Sequence, residues 1–240
     1  MIEVQGLTVR FGGVVSIDDM TVTFPGGTCG LIGPNGAGKT TFFNVLSGFV
    51  TPAAGRVMAF GEDLLSLPDF RRARWGVRRT FQTEQAIESL TVWDNVLTVY
   101  EHTSRSDRAT TREAVGGALE LTGLSEHARA PVGSLGAASR RLVEVARAIV
   151  GRPRLVLLDE PAAGLPDEET GQLAKVINLI PEHIGATAIV VEHDMTLVQA
   201  CSQTVAVLDF GRLLASGPTD EVLHDPRVLE AYLGMEEPVA

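Results

Sequence analysis

The chain has 240 residues, enough for one large domain or two small ones. It is 45% hydrophobic and 21% charged, an ordinary composition for a globular protein with a sizeable core. Its formal net charge of −10 argues against a broad nucleic-acid-binding surface, because such surfaces need clustered positive charge. We therefore predict no nucleic-acid partner.

The two cysteines, Cys29 and Cys201, lie in apolar surroundings and far apart in sequence. We expect both to be buried free thiols, as is usual in a reducing compartment. The start of the chain resembles no signal peptide, and no apolar run approaches the roughly 20 residues that span a bilayer. If the protein works at a membrane, we expect another chain to supply the spanning part.

The first third of the chain is rich in strand patterns. Alternating or continuous apolar residues predict five strands, at residues 2–9, 20–24, 28–32, 55–60 and 77–81. A helix is expected to begin at Lys39, after the third strand and a glycine-rich turn. Arg71, Arg72, Arg74, Arg78 and Arg79 form a basic cluster in sequence. We interpret it as a solvated surface, with a docking edge for a partner or for anionic headgroups as the alternative.

From about residue 83 to residue 150, helical patterns replace strand patterns. Residues 110–121 have the pattern of a helix. Several apolar residues fall on one face of a second helix: Leu135, Leu142, Val145, Ala146 and Ile149. The pattern indicates an inserted helical segment.

Strand patterns return after residue 150. Residues 154–158 and 186–191 are apolar runs typical of strands buried on both faces. Helices are predicted at residues 166–180 and 194–200, and a terminal hairpin at residues 205–216. Strands that alternate with helices indicate an α/β fold with a parallel sheet.

A phosphate-binding pattern, G-x-x-x-x-G-K-[ST], follows the strand at residues 28–32. Its residues are Gly33, Pro34, Asn35, Gly36, Ala37, Gly38, Lys39, Thr40 and Thr41. Glycines let backbone N–H groups turn towards an anion, and the helix N-terminus that follows favours phosphate. Lys39 offers a positive charge to the phosphates, and Thr40 offers a hydroxyl to Mg²⁺. The pattern predicts a nucleoside triphosphate site.

Polar side chains also follow three other predicted strands. Asp159 and Glu160 end the run at residues 154–158, where one carboxylate can serve Mg²⁺ and the other can deprotonate an attacking water. Gln82 follows the strand at residues 77–81, and its amide is suited to metal or water. His193 follows the strand at residues 186–191, at the kind of strand end where α/β sites gather.

In order and spacing, these motifs resemble the ATP-binding cassette (ABC) ATPase family over nearly the whole chain. The resemblance implies that Phe11 stacks on adenine and that residues 33–41 are the phosphate loop. It also implies that Lys39 binds phosphate and that His193 contacts the γ-phosphate as the family's switch histidine.

The same resemblance implies which residues bind Mg²⁺ and which residue activates the attacking water. Thr40 and Gln82 match the family's Mg²⁺ ligands, and Asp159 matches the aspartate that acts on the ion through water. Glu160 matches the general base. ATP and Mg²⁺ are therefore the expected ligands, with catalysis assigned to Glu160, His193 and Lys39.

The finer resemblance is to the importer branch for branched-chain and other hydrophobic amino acids. The stretches that carry it are residues 10–13, 33–41, 79–82, 160–165, 192–195 and 231–234. Importers of amides and urea are close alternatives, and a regulatory cassette that binds ATP with little hydrolysis of its own is another. The implied setting is the cytoplasmic side of the membrane, with separate permease subunits and, indirectly, a solute-binding protein.

The resemblance also implies the fold. We expect one P-loop NTPase cassette over residues 1–240, with a mixed core sheet and an N-terminal antiparallel β-subdomain. The RecA-like core and the antiparallel strands would take about residues 1–82 and 151–240, and a helical subdomain about residues 83–150.

The family's signature, usually Leu-Ser-Gly-Gly-Gln, is altered in this chain. The aligned residues 135–139 are Leu-Gly-Ala-Ala-Ser, so Gly136 removes a hydroxyl and Ala138 adds a methyl group. Pro166 also occupies the position of an aspartate that many cassettes have. In the family the signature reaches the γ-phosphate on the other subunit of a dimer. We therefore predict a weakened composite site and a second, different ATPase subunit as partner.

Overall fold

The computed structural model describes residues 1–104 and 108–233, and Gly234, which ends one of the stretches above, lies outside them. The strands are β1 Ile2–Phe11, β2 Val14–Phe24, β3 Thr28–Ile32, β4 Ala54–Ala59, β5 Glu62–Asp63, β6 Val77–Arg79, β7 Leu155–Asp159, β8 Thr187–Val191, β9 Thr204–Asp209 and β10 Arg212–Pro218. The α-helices are α1 Lys39–Ser47, α2 Asp69–Trp75, α3 Val92–Thr103, α4 Arg108–Leu121, α5 Ala137–Ile149, α6 Asp167–Leu179, α7 Met195–Cys201, α8 Thr219–Leu223 and α9 Pro226–Leu233. No helix in these two ranges is long and apolar enough to cross a membrane.

Four strands form an antiparallel sheet in the order β2-β1-β4-β5. In β1 the buried residues are Ile2 and Val4, then Leu7 and Val9, so the alternation changes phase between the pairs. The register shifts at this point, where Gly6 has a φ of +60°. A β-bulge of this kind adds one residue to a strand and keeps the apolar side chains on one face.

Six strands form a mixed sheet in the order β10-β9-β3-β8-β7-β6. The five from β9 to β6 are parallel, and β10 pairs antiparallel with β9 as the predicted hairpin. Every residue of β3, β7 and β8 is buried, as their continuous apolar sequences predicted. Because the strands are parallel, the segments after β3, β6, β7 and β8 emerge at one edge of the sheet.

Helices cover the mixed sheet, and α3 and α7 begin at side-chain caps. Thr91 accepts a hydrogen bond from the Asp94 backbone N–H at the start of α3, and Asp194 accepts two from the first turn of α7. Gly48, with a φ of +89°, ends α1. Helices α3 to α5 share one apolar core with the face of the sheet that α6 and α7 cover.

The interpretation of the five arginines as one solvated surface is wrong. Arg72 and Arg78 are buried, and both donate hydrogen bonds to backbone carbonyls. The side chain of Arg79 is also buried, at 6% exposure. Only Arg71 and Arg74 among the five are exposed, on α2. Both cysteines are buried and free, as predicted.

Candidate functional site

The phosphate loop lies between β3 and α1, and two of its glycines are required by close packing. Gly33 has a φ of +148°, and a Cβ there would lie 2.1 Å from the Leu208 carbonyl oxygen. Gly38 has a φ of +105°, and a Cβ there would lie 2.6 Å from the Ser16 carbonyl oxygen. The loop is therefore held tightly against β2 and β9, with its backbone in a conformation that favours glycine.

Lys39 is folded back into this loop. Its Nζ atom donates to the carbonyl oxygens of Gly33, at 2.5 Å, and Pro34, at 2.9 Å. Burial lowers the pKa of the lysine, and the nearby carboxylates of Glu160 and Asp159 oppose that shift. The arrangement holds a cation inside the loop, beside two carboxylates.

Thr40 and Phe11, two further predicted nucleotide contacts, are both exposed residues. Thr40 is exposed in the first turn of α1, and no side chain among the described residues caps this helix. The Thr41 hydroxyl lies 2.7 Å from the Ser16 hydroxyl. Phe11, at the end of β1, leaves 51% of its surface exposed, as a ring available for stacking would. The uncapped helix N-terminus is suited to an anion.

Asp159, at the end of β7, is buried and ion-paired. Its Oδ2 atom lies 2.6 Å from Nη2 of Arg79, the last residue of the neighbouring strand β6. The same guanidinium donates to Asn44 Oδ1 on α1 at 2.6 Å. The Arg79 guanidinium also lies over the ring of Phe81, 5.0 Å from its centroid. One arginine thus joins the helix after the phosphate loop to Asp159 and to the segment that leads into Gln82.

Glu160 follows Asp159 with a φ of +47°, a left-handed conformation that is uncommon for glutamate. Its backbone N–H donates to the Val191 carbonyl oxygen at 2.9 Å, which ties the turn to β8. Its Oε2 atom accepts a hydrogen bond from Gln82 Nε2 at 2.9 Å. The structure therefore brings together two site residues that are 78 positions apart in sequence.

His193 follows β8, and 62% of its side chain is exposed. Its Nδ1 atom lies 4.0 Å from Glu192 Oε2. Glu192 itself is buried, and desolvation raises the pKa of its carboxyl group. The Ala162 backbone N–H donates to Glu192 Oε1 at 2.9 Å, and the His193 backbone N–H donates to Oε2 at 3.2 Å. Glu192 thus links the segment after Glu160 to the one that carries His193.

The altered signature stands at the start of α5. Gly136 is the N-cap residue, and it and Ala137 are exposed. From the next turn, Arg141 donates to the carbonyl oxygens of Gln82, at 3.4 Å, and Ala163, at 3.3 Å. This helix therefore contacts the segments that carry Gln82 and that follow Glu160 in the same chain.

Arg79 and Glu192 both lie among the site residues, although the sequence predictions assigned neither of them a part in the nucleotide site. Each lies at or next to the carboxyl end of a core strand, and this position is the sequence feature that could have identified both as site residues. Neither residue type at such a position indicates which side chain or backbone group it contacts.

The donor set at this edge fits a divalent cation that shares its coordination with a nucleotide. The described residues contain no cluster of three or more His, Cys, Asp or Glu side chains that could hold a metal ion. Mg²⁺ typically binds through few protein ligands, with phosphates and water completing its shell. Thr40, Gln82 and Asp159 are suited to that mode.

Known proteins match this chain over nearly its whole length. The family model described as ABC transporter matches residues 17–163, and the model described as branched-chain amino acid ATP-binding cassette transporter matches residues 212–236. The chain is 37% identical to the high-affinity branched-chain amino acid transport ATP-binding protein LivG of Escherichia coli, with 98% of each chain covered. It is 36% identical to BraF of Pseudomonas aeruginosa, which has the same description, with 98% of each chain covered.

The fold of the chain also matches that of a solved ATP-binding cassette. The ADP conformation of MJ1267, an ATP-binding cassette of an ABC transporter, superposes with a TM-score of 0.88 at 26% identity and covers 98% of both chains. The predicted α/β cassette fold is confirmed. The chain belongs to the ABC transporter family, as one of its ATP-binding cassettes.

Proposed function

We propose that this chain is the ATP-hydrolysing subunit of an importer for branched-chain or related amino acids. The observation that carries the proposal is the contact between Gln82 and Glu160, 2.9 Å apart, at the sheet edge that also holds Lys39 in its phosphate loop. A carboxylate held beside a phosphate loop is suited to activate a water for attack on a terminal phosphate.

Each residue has a defined task in the proposed reaction. Phe11 stacks on the base, and Lys39 with the backbone of residues 33–41 binds the phosphates. Glu160 orients the attacking water and takes its proton, and His193 contacts the γ-phosphate. When bound, Mg²⁺ would neutralise phosphate charge, and Thr40, Gln82 and Asp159 would hold it directly or through water.

The transported solute is proposed from the relatives. LivG and BraF are both described as serving branched-chain amino acid transport, and both align along 98% of this chain. Amide and urea importers are the alternative at this level. We propose that permease subunits in the membrane receive the movement of the cassette through the surface near residues 82–88, and that a solute-binding protein delivers the solute. This places the chain on the cytoplasmic face of the membrane.

The altered signature favours a heterodimer of cassettes. In a homodimer, both composite sites would lack the serine hydroxyl that Gly136 has removed. One lost hydrogen bond to a charged group, worth about 1.5–3 kcal/mol, would slow hydrolysis roughly 10- to 150-fold. With a partner whose signature is intact, the phosphate loop of this chain would form one efficient site.

Comparing three preparations tests this proposal: the purified chain, the chain with its partner cassette, and the full complex with permeases. We expect slow ATP turnover by the chain alone and a rise of at least about tenfold once the partner is present. Full activity of the isolated chain would contradict the heterodimer. Slow turnover in every preparation would instead favour a regulatory cassette, the reading that Gly136 and Ala138 support.

A further inference from the structure

Glu192 is a buried carboxylate that none of the proposed reaction steps uses. It is 1% exposed, at the end of β8 and next to His193. Removing a carboxylate from water is costly unless hydrogen bonds compensate for the loss. The compensation here comes from backbone N–H groups of Ala162, His193 and Asp194.

These donors belong to two different segments of the site. Ala162 lies in the turn that follows Glu160, whereas His193 and Asp194 lead into α7. The two segments are 30 residues apart in sequence, and the Glu192 carboxylate binds both at once. Its two oxygens are occupied separately, since Oε1 accepts from Ala162 and Oε2 accepts from His193. Movement of either segment alone would therefore break a charge-assisted hydrogen bond.

The turn after Glu160 is also in contact with the signature helix. Arg141 on α5 donates to the Ala163 carbonyl oxygen at 3.3 Å, and Ala163 is adjacent to the residue that Glu192 binds. A continuous set of hydrogen-bonded groups thus runs from α5 through residues 162–163 to Glu192 and the backbone of His193.

We propose that Glu192 is a positioning residue that keeps His193 in register with the turn following Glu160 and, through that turn, with α5. The inference rests on the proposed ATPase function, because His193 is the residue proposed there to contact the γ-phosphate. Glu192 touches no reacting atom in this account and acts only through the backbone of the residues it binds.

Two variants and one control test the proposal. Glu192→Gln keeps the size of the side chain but removes its charge, and Glu192→Ala removes both acceptors. Glu182→Gln changes an exposed glutamate in the helical turn before β8 and is the matched control. The measurements are backbone amide NMR of the uniformly labelled chain, the dissociation constant for ATP, and steady-state kinetics of the assembled complex.

In both Glu192 variants we expect the amide protons of Ala162 and His193 to move upfield, because they lose a charged acceptor. We expect kcat to fall about tenfold or more in Glu192→Ala, with the dissociation constant for ATP changed less than about twofold. The Glu182 control should match the wild type. A kcat that stays at the wild-type value in both variants, or a parallel loss of ATP binding and turnover, would overturn the proposal.

The amide spectrum of the nucleotide-free chain separates failure of this inference from failure of the proposed function. In the wild type the Ala162 and His193 amides both donate to Glu192, so both should shift in Glu192→Ala without any ATP present. Unchanged amide shifts at either residue would refute the link through Glu192 even if the protein hydrolyses ATP. Shifts at both residues in a protein whose assembled complex shows no turnover would refute the ATPase proposal and leave the link intact.

Discussion

Arg79 and Asp159 form a buried ion pair, 2.6 Å between Nη2 and Oδ2, across the ends of neighbouring strands β6 and β7. Arg79 is also bound to Asn44 at 2.6 Å, so the pair connects the helix that follows the phosphate loop with the carboxylate expected to serve Mg²⁺. Removing one partner of a buried pair is strongly destabilising, because the other charge is left without compensation.

Arg79→Met should therefore lower the free energy of unfolding by about 3–5 kcal/mol, measured by urea denaturation. Arg71→Met, at an exposed position on α2, should stay within about 0.5 kcal/mol of the wild type. Combining Arg79→Met with Asp159→Asn should cost less than the two single changes added together, because neither charge then remains unpaired. Equal stability of the two arginine variants would contradict the structural role of the pair.

Glu160→Gln should preserve ATP binding and nearly abolish turnover. The glutamine retains the size of the side chain beside Gln82 but cannot accept a proton from water, so kcat should fall at least about 100-fold. Calorimetric titration with ATP and a phosphate-release assay measure the two effects separately. Glu126→Gln serves as the control, because Glu126 is exposed in the short helical turn Ser125–His127 after α4. Turnover at the wild-type rate would exclude Glu160 as the base.

Lys39→Ala should weaken nucleotide binding at least about tenfold, because a charge-assisted contact to phosphate is lost. The chain has one other lysine, Lys175, which is exposed on α6 and provides a matched control. Titration calorimetry with ATP compares the two variants. If both bind ATP as tightly as the wild type, the assignment of Lys39 is wrong.

Gly136→Ser should restore a hydroxyl to the signature and raise turnover of the homodimer roughly tenfold or more. The position accepts a side chain, since a Cβ at Gly136 meets nothing within 4 Å and its φ is −67°. Gly117→Ser, at a similarly open site on α4, controls for the added serine. No gain in Gly136→Ser would show that the missing hydroxyl does not limit the composite site.

Local sequence patterns were sufficient to predict those elements whose structure depends on adjacent residues. The apolar runs of β3, β7 and β8 and the glycines of the phosphate loop specify strand, turn and helix from adjacent residues, and the structure agrees to within about two residues. Helix α2 was missed because its sequence, Asp-Phe-Arg-Arg-Ala-Arg-Trp, has little apolar periodicity. Its buried Arg72 is held instead by backbone carbonyls of other segments.

The contacts that assemble the site required the three-dimensional structure. Gln82 and Glu160 were each predicted as site residues, but their direct hydrogen bond depends on the pairing of β6 with β7. Arg79 was interpreted as part of a surface cluster, because sequence does not reveal which carboxylate lies on the neighbouring strand. Glu192 was passed over for a similar reason, since one of its donors, the Ala162 backbone N–H, comes from a segment 30 residues away.

In the proposed function, ATP hydrolysis at Glu160 powers the import of branched-chain amino acids. The most direct test is uptake of radiolabelled leucine into proteoliposomes that contain this chain, its partner cassette, the permeases and the solute-binding protein. We predict leucine uptake that requires ATP on the side of the vesicle membrane where the cassettes lie. Isoleucine and valine should inhibit this uptake and urea should not, and the uptake should be lost when Glu160 is replaced by glutamine. Uptake of urea or amides in place of leucine, or leucine uptake that persists in the Glu160→Gln complex, would contradict the account.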